Sequence, residues 1–250
     1  MLAIARQKII REQLKEHKSV RIAELADLLQ VTKETVRRDL GSMEKSGELI
    51  RTHGGAYILD GVQNDLDLST RQVLRIQEKE TIARKCSFLI ENGDYIFLDD
   101  SSTAWFIARE VMHRNIAVLT PSLEIINLLA SCSNIRLFAV GGEYNASSGS
   151  FKGGNTLRNL ERYYVDKAFI SCRSVSMEGG LTDTNDSDAL LHKLALAHAT
   201  EKYLAIDTSK LNRTSFATIV PVSDLNGIIM DSPFPPEWVA FLQENAVQVY

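Results

Sequence analysis

From Glu78 onward, short apolar runs of strand length alternate with amphipathic stretches of helix length, and this alternation limits the possible folds most severely. The strand-like runs are Tyr95–Leu98, Ile116–Leu119, Ile135–Val140, Lys167–Ser171, Tyr203–Ile206, Ala217–Val220 and Gly227–Met230. Helical periodicity fits 78–91, the stretch from Thr103 to Met112, Leu123–Ala130, Thr156–Arg162, Asp188–Thr200 and Pro236–Asn245. Strands buried on both faces read as continuous apolar runs, and helices between them carry the chain back over the sheet. The spacing therefore predicts an α/β domain over 78–250 around a mostly parallel sheet. Ligands of such sheets sit beyond the carboxyl ends of the strands.

Three polar clusters follow strand-like runs or turns. Asp99-Asp100-Ser101-Ser102-Thr103 stands between a strand and a helix. Hydroxyls and backbone N–H groups at a helix N-terminus suit a phosphate, and the same run also serves as a plain helix cap. Gly179-Gly180-Leu181-Thr182 makes a glycine turn before an Asp/Asn-rich stretch ending at Asp188. Asp207-Thr208-Ser209-Lys210 supplies a lysine that can pair with an anion or an acid, or remain solvated.

Residues 1–58 have a different grammar. Ile4, Ile9, Ile10 and Leu14 fall on one broad helical face, with Arg6, Lys8, Arg11 and Lys15 elsewhere. After a break at His17–Val20, Ile22, Leu25, Ala26 and Leu29 repeat at i, i+3, i+4 and i+7, the period of a second amphipathic helix. Gln30 and Val31 make a turn, and Thr32 is a good N-cap for a third helix that turns Val36, Leu40 and Met43 inward. Its other faces carry Lys33, Glu34, Thr35, Arg37 and Arg38, and Gly47 ends it. Leu49–Thr52 and Ala56–Leu59 read as two short strands around His53-Gly54-Gly55. Three helices and a hairpin make a winged helix-turn-helix, whose third helix fits a major groove about 12 Å wide. Charge agrees: residues 1–56 hold 11 Lys and Arg against 8 Asp and Glu, whereas the remainder holds 17 against 24. The polar, acidic stretch Asp60–Asp67 reads as a linker, which Leu68–Gln77 either continues or closes as a connecting helix, so that the linker spans 59–77.

The 250 residues are 44% apolar and 24% charged, enough to build a full core. No apolar run reaches the roughly 18 residues that a bilayer crossing needs, and Met1–Arg11 has no signal-peptide character. Cys86, Cys132 and Cys172 stand far apart without a C-x-x-C pair, as expected of free thiols in the cytoplasm. Neither a dinucleotide G-x-G-x-x-G after a strand nor a P-loop occurs, so no cofactor is expected. No metal is expected either. His192 and His198 lie about 240° apart around a helix, and the Asp183–Asp186 run lacks the glycine and the distal glutamate of a calcium loop.

The stretch Glu24-Leu25-Ala26, Val31-Thr32-Lys33-Glu34-Thr35-Val36-Arg37-Arg38-Asp39-Leu40, Glu44-Lys45-Ser46-Gly47 and Ile50-Arg51-Thr52-His53-Gly54-Gly55-Ala56 closely resembles the DNA-binding signature of the DeoR family of bacterial transcriptional regulators. Thr32 stands where a serine is commoner, and Arg21 where the family usually caps its second helix with Ser or Thr. The resemblance implies that the third helix reads operator DNA through Thr32, Lys33, Glu34, Thr35, Arg37 and Arg38, and that the wing, with Arg51 and His53, touches backbone or minor groove.

From about Ile82 to Met230 the chain resembles the effector domain of the same family, which is similar in fold to ribose-5-phosphate isomerase. The family's Asp-Ser-Gly-Thr-Thr phosphate loop becomes Asp99-Asp100-Ser101-Ser102-Thr103, and Asp100 would oppose a phosphate by like charge unless it points away. Thr120 and Ser122 stand at the family's polar turn, and Asp207, Ser209 and Lys210 match well. Lys193 matches a helical lysine of the family, but Asp188 lies five residues back, about 140° around a helix. The resemblance implies an effector site drawn from these residues together with Gly141, Gly142 and Thr182.

The expected protein is a sequence-specific DNA-binding regulator, a repressor of a carbohydrate operon relieved by a phosphorylated sugar. Its expected partners are operator DNA, that effector and further copies of itself, dimer or tetramer, with no membrane and no catalysis. Two alternatives remain at this point. One is a sugar-phosphate isomerase using Asp99, Asp100, Asp207 and Lys193 or Lys210 as acid and base. The other is a DNA-binding regulator whose C-terminal domain only assembles copies.

Overall fold

The computed structural model describes residues 2–17, 19–45, 48–51, 54–57 and 68–250, and the chain divides into two compact units, Met1–Leu74 and Arg75–Tyr250. In the first unit, helices α1 (Ala3–His17), α2 (Ile22–Leu29) and α3 (Lys33–Lys45) stand with strands β1 (Ser19–Arg21), β2 (Ile50–Arg51) and β3 (Gly55–Tyr57). The strands form an antiparallel sheet in the order β1-β3-β2. The sequence break at 17–20 therefore contains a strand, β1, which is too short to carry a recognisable alternation.

Ile10, Leu14, Ile22, Leu25, Leu29, Val36, Leu40 and Met43 form one core, as the helical periodicity requires. Two positions on α1 depart from it. Ile4 is exposed, while Arg6 is buried and holds the buried Asp39 with two parallel bonds, Nε–Oδ2 2.6 Å and Nη2–Oδ1 3.0 Å. A guanidinium fork satisfies both carboxylate oxygens, so a charged residue takes the core position that an apolar one was expected to fill.

The chain leaves α2 through Gln30 in the left-handed conformation (φ 51°). Thr32 then starts α3 by accepting the Thr35 N–H at 3.2 Å on its hydroxyl. Gly55 is required by crowding: a side-chain carbon there would lie 1.9 Å from the Val20 carbonyl oxygen. Gly47, Thr52, His53, Ile58 and the expected linker from Leu59 to Asp67 lie outside the described residues. The later part of that linker carries α4 (Leu68–Val73) and the start of α5.

The second unit contains, in chain order, α5 (Ile76–Leu89), β4 (Tyr95–Leu98), α6 (Ser102–Glu110), β5 (Ile116–Thr120), α7 (Leu123–Leu129) and β6 (Ile135–Ala139). Next come the hairpin β7 (Glu143–Asn145) and β8 (Ser150–Lys152), then α8 (Gly154–Leu160) and β9 (Val165–Ile170). The chain ends with β10 (Ser174–Ser176), β11 (Gly180–Asp183), α9 (Asp186–Ala197), β12 (Ala199–Ile206), β13 (Ala217–Thr218), β14 (Gly227–Met230), α10 (Pro236–Glu244) and β15 (Gln248–Val249).

Seven strands make the main sheet in the order β15-β14-β12-β9-β4-β5-β6, every pair parallel. Ala217–Thr218, expected in that sheet, instead joins the separate antiparallel sheet β10-β11-β13. The expected helix 188–200 starts two residues earlier and gives up Ala199 and Thr200 to β12.

Apolar cores cover both faces of the main sheet. Ile96 and Leu98 pack with Ile82, Cys86, Ile107 and Ile125 on one side, and Phe97 with Leu191, Leu196, Trp238 and Leu242 on the other. Successive strand residues point to opposite faces, so a strand covered on both sides must be apolar throughout.

Candidate functional site

On the first unit, α3 turns Val36, Leu40 and Met43 into the core and leaves Lys33, Glu34, Arg37 and Arg38 exposed beside the half-buried Thr35 and the exposed cap Thr32. Arg37 is paired with Glu34 one turn back, Nη1–Oε2 3.0 Å. Arg51 folds over α3: its N–H donates to Glu44 Oε1 at 3.1 Å, and its guanidinium lies 3.7 Å from Glu44 Oε2, above Gly41. His53, expected on the wing, lies outside the described residues. The result is an exposed helix face, rich in donors, carried on a rigid three-helix core, which is the form that major-groove reading requires.

The second unit has its own site at the point where the strand order reverses. The chain runs outward from β4 through β5 to β6, then returns to β9 on the other side of β4 and continues outward to β15. The carboxyl ends of β4 and β9 therefore open the crevice in which sheets of this kind bind ligands. Asp99 sits there, fully buried. Its Oδ1 accepts the Ser101 N–H at 2.9 Å, and its Oδ2 accepts the Ser171 N–H, just past β9, at 2.6 Å. One carboxylate thus fixes both the turn after β4 and the neighbouring strand end. Ser101 caps α6 by accepting the Ala104 N–H at 3.0 Å, and Ser102 and Thr103 are buried in its first turn. The early N–H groups of a helix have no partner within it and favour negative charge.

Asp100 is drawn aside. Its Oδ2 accepts the Ser150 hydroxyl at 2.6 Å and lies 3.7 Å from Lys152 Nζ. Both partners come from β8, and the hairpin is held against the turn after β5 by Phe151 N–H to Pro121 O at 2.9 Å and Leu123 N–H to Gly149 O at 2.9 Å. In that turn Thr120 accepts the Ser122 N–H at 3.1 Å, and Ser122 caps α7. Lys152 also bonds Asp188, which in turn accepts from Asn185 Nδ2 at 2.9 Å. The hairpin begins at Gly141 (φ 67°) and Gly142 (φ 134°). A side chain at Gly142 would collide with Thr156 Oγ1 at 1.9 Å, so these glycines shape the approach of the chain.

His192 completes the cluster. It is buried, with Nε2 3.4 Å from Asp99 Oδ2 and Nδ1 3.8 Å from Asp183 Oδ2. Burial pushes the carboxyls of Asp99 and Asp183 above the ordinary range. Burial also pushes His192 down, but the carboxylates of Asp99, Asp183, Asp100 and Asp188 outweigh it and hold the imidazole above its usual value.

Lys193, expected in this site, is exposed, one residue and about 100° around α9 from His192. The lysine that the fold delivers to Asp188 and Asp100 is Lys152, and the helical residue it delivers to Asp99 is His192. Neither stands in a motif, and only the phase of α9 and the path of the hairpin disclose them. Thr182 lies close by but spends its hydroxyl on the small sheet, donating to Ser174 O at 3.3 Å and accepting the Ser215 N–H at 2.8 Å. Asp207 caps the turn Thr208–Lys210, accepting the Ser209 N–H at 3.0 Å. Burial pushes Asp207 up, yet Lys210, Ser209 and Arg75 together hold it below the usual carboxylate range. Among the described residues no group of His, Cys, Asp and Glu has the arrangement to hold a metal, and no helix is long and apolar enough to cross a membrane.

The chain matches two domain families: the DeoR-like helix-turn-helix domain over residues 6–62 and the DeoR C terminal sensor domain over residues 74–232. It is 34% identical over 249 residues to an uncharacterized HTH-type transcriptional regulator, YulB, of Bacillus subtilis, covering 100% of this chain and 96% of that one. It is 33% identical to the lactose phosphotransferase system repressor of Staphylococcus epidermidis, covering 86% of each. Its identity to the L-fucose operon activator of Escherichia coli is 34%, over 91% of this chain and 94% of the relative. Among solved structures, ribose 5-phosphate isomerase A of Methanocaldococcus jannaschii aligns over 53% of each chain at 23% identity, with a TM-score of 0.39. With a DeoR-like helix-turn-helix domain in the first unit, a sensor domain in the second and full-length similarity to such regulators, this chain belongs to the DeoR family of transcriptional regulators.

Proposed function

We propose that this regulator is a repressor of a carbohydrate-use operon and that a phosphorylated sugar, bound at the switch-point crevice of the sensor unit, releases it from DNA. The observation that carries this reading is the turn Asp99–Thr103. It is buried except at the half-buried cap Ser101, ends on the capped N-terminus of α6, and has its second carboxylate, Asp100, already occupied by Ser150 and Lys152. With Asp100 engaged in this way, the first turn of α6 is left to meet a phosphate. Lys152, Asp183 and Asp188 supply hydrogen-bonding groups for sugar hydroxyls, with Thr120, Ser122, Gly141 and Gly142 shaping the adjoining turns. Lys210, Ser209 and Asp207 flank the crevice as a second, mutually paired group.

Sugar control is supported by two relatives, the lactose phosphotransferase system repressor and the L-fucose operon activator. On DNA, Lys33, Glu34, Thr35, Arg37 and Arg38 would meet base edges or phosphates. Two such helices, carried by two copies, would read two half-sites. Effector binding would favour an arrangement of copies that spaces those helices wrongly. The sensor unit binds its ligand without turning it over, in the cytoplasm.

Mobility shift on the chain's own upstream DNA at 0.15 M salt, with and without a panel of sugar phosphates, tests both halves. Specific binding that one member of the panel abolishes is the expected result. Equal binding to unrelated duplex would refute the operator reading. A full panel without thermal stabilisation, where about 2.7 kcal/mol is due at a hundredfold excess over Kd, would refute the sensor site.

A further inference from the structure

His192 has no task in phosphate recognition as described, yet its side chain is placed with unusual economy. It is 4% exposed, and both ring nitrogens are buried without a hydrogen-bond partner. Each nevertheless faces a carboxylate: Nε2 faces Asp99 at 3.4 Å and Nδ1 faces Asp183 at 3.8 Å. Buried polar atoms in native proteins are rarely left unsatisfied, so two such atoms on one ring mark a site that a small movement completes. A neutral imidazole has one donor and can serve one of these acceptors. An imidazolium has a donor on each nitrogen and can serve both.

The charges around the ring come from several elements. Asp99 and Asp100 follow β4, Asp183 ends β11, and Asp188 lies on α9 itself. Lys152, from β8, is engaged by Asp100 and Asp188, and Lys210 acts on Asp207 and the Cys172 thiol. His192 is placed against both Asp99 and Asp183, and the three titrate as one coupled unit.

We propose that His192 is a protonated clasp that holds the phosphate loop in its binding geometry, so that effector affinity at this site falls as pH rises. This rests on the sensor-site reading above. Asp99 orients the loop through the Ser101 N–H and ties it to β9 through the Ser171 N–H. When the cluster loses its proton, Asp99 and Asp183 flank a neutral ring that can donate to only one of them. The turn after β4 or the end of β11 then loses its tie to α9, and an incoming dianion meets added negative charge. Ligand binding thus retains a proton, and linkage allows the affinity to fall by up to about tenfold per pH unit above the titration. His192 acts through Asp99 and does not touch the ligand, so it is a positioning residue.

The test uses the full chain and two readouts. Imidazole NMR, with the His192 signal assigned by its loss in His192→Gln, should give a titration midpoint above the ordinary histidine value. Calorimetric titration with sulfate, which stays a dianion throughout, should show wild-type binding about tenfold tighter one pH unit below that midpoint than one unit above it. His192→Lys should bind equally at both pH values, and His192→Gln should bind at both as weakly as wild type does at the higher. A residue that served only packing would weaken binding by the same factor at both pH values. Equal wild-type affinities, or a midpoint at or below the ordinary value, overturn the clasp and leave the sensor site standing. Failure of sulfate to bind at either pH overturns the sensor-site reading and the clasp with it. If a variant does not fold, the two wild-type measurements decide.

Discussion

Trp238 is fully buried, packs against Phe234 and Phe241 with ring centroids 6.4 and 5.8 Å away, and donates its Nε1–H to Asn212 Oδ1 at 2.8 Å. Truncation to alanine removes the packing, the hydrogen bond and the support of a left-handed Asn212 (φ 58°) together. Trp238→Ala should therefore cost the sensor unit about 3–5 kcal/mol, read from urea unfolding. On the DNA-binding unit, Arg38 is exposed and makes no ion pair with another described residue, whereas Arg37 is held by Glu34. Arg38→Ala should weaken operator binding by about 1–3 kcal/mol and relax sequence preference if it reads a base. A uniform loss on operator and scrambled duplex, with a shallower salt slope, would mark it as a phosphate contact. Individual residues were the least legible part of the sequence. The cluster Asp99–Thr103 could be singled out because it follows an apolar strand of unmistakable length. His192 could not be told from Lys193, since a two-residue error in the start of α9 leaves the helical phase open. The burial of Arg6 is illegible for a different reason: its partner Asp39 lies 33 residues away, and no local pattern announces that pair.

At the scale of elements, burial decided what could be read. Tyr95–Leu98 and Gly227–Met230 have the bounds that the sequence predicts, because both faces of these strands are covered and only apolar residues fit. The strands β1, β7, β8, β10 and β15 have two or three residues each and owe their form to the strand beside them, so their own composition is uninformative. The same dependence on a neighbour makes the first unit's sheet fragile at one position. Gly55→Ala should push β3 away from the Val20 carbonyl at a cost of about 1–3 kcal/mol and weaken DNA binding. Gly54→Ala meets nothing within 4 Å and should leave both the thermal midpoint and DNA affinity unchanged. If the two substitutions behave alike in a thermal melt, close approach is not what requires the glycine.

Across the whole molecule, charge and tryptophan placement give one measurement an unusual clarity. Both tryptophans, Trp105 and Trp238, belong to the sensor unit, so fluorescence follows its unfolding without interference from the other. Asp99, Asp183 and His192 bind protons more tightly folded than unfolded, by burial for the carboxyls and by the surrounding carboxylates for the imidazole. Their contribution to stability is present at low pH and lost as pH rises through their raised values. Asp207 has the opposite sign, and its contribution is lost as pH falls below the ordinary carboxylate range. The urea midpoint followed by fluorescence should therefore be higher at about pH 5.5 than at about pH 8.5, and an increase across that interval would contradict these assignments. The hairpin β7–β8 has a separate consequence. It is an excursion between β6, at the rim of the main sheet, and α8, and it delivers Ser150 and Lys152 to the crevice while contributing no strand to that sheet. On the proposed sensor site, grafting residues 141–153 from a relative should exchange metabolite preference while operator choice stays with the first unit.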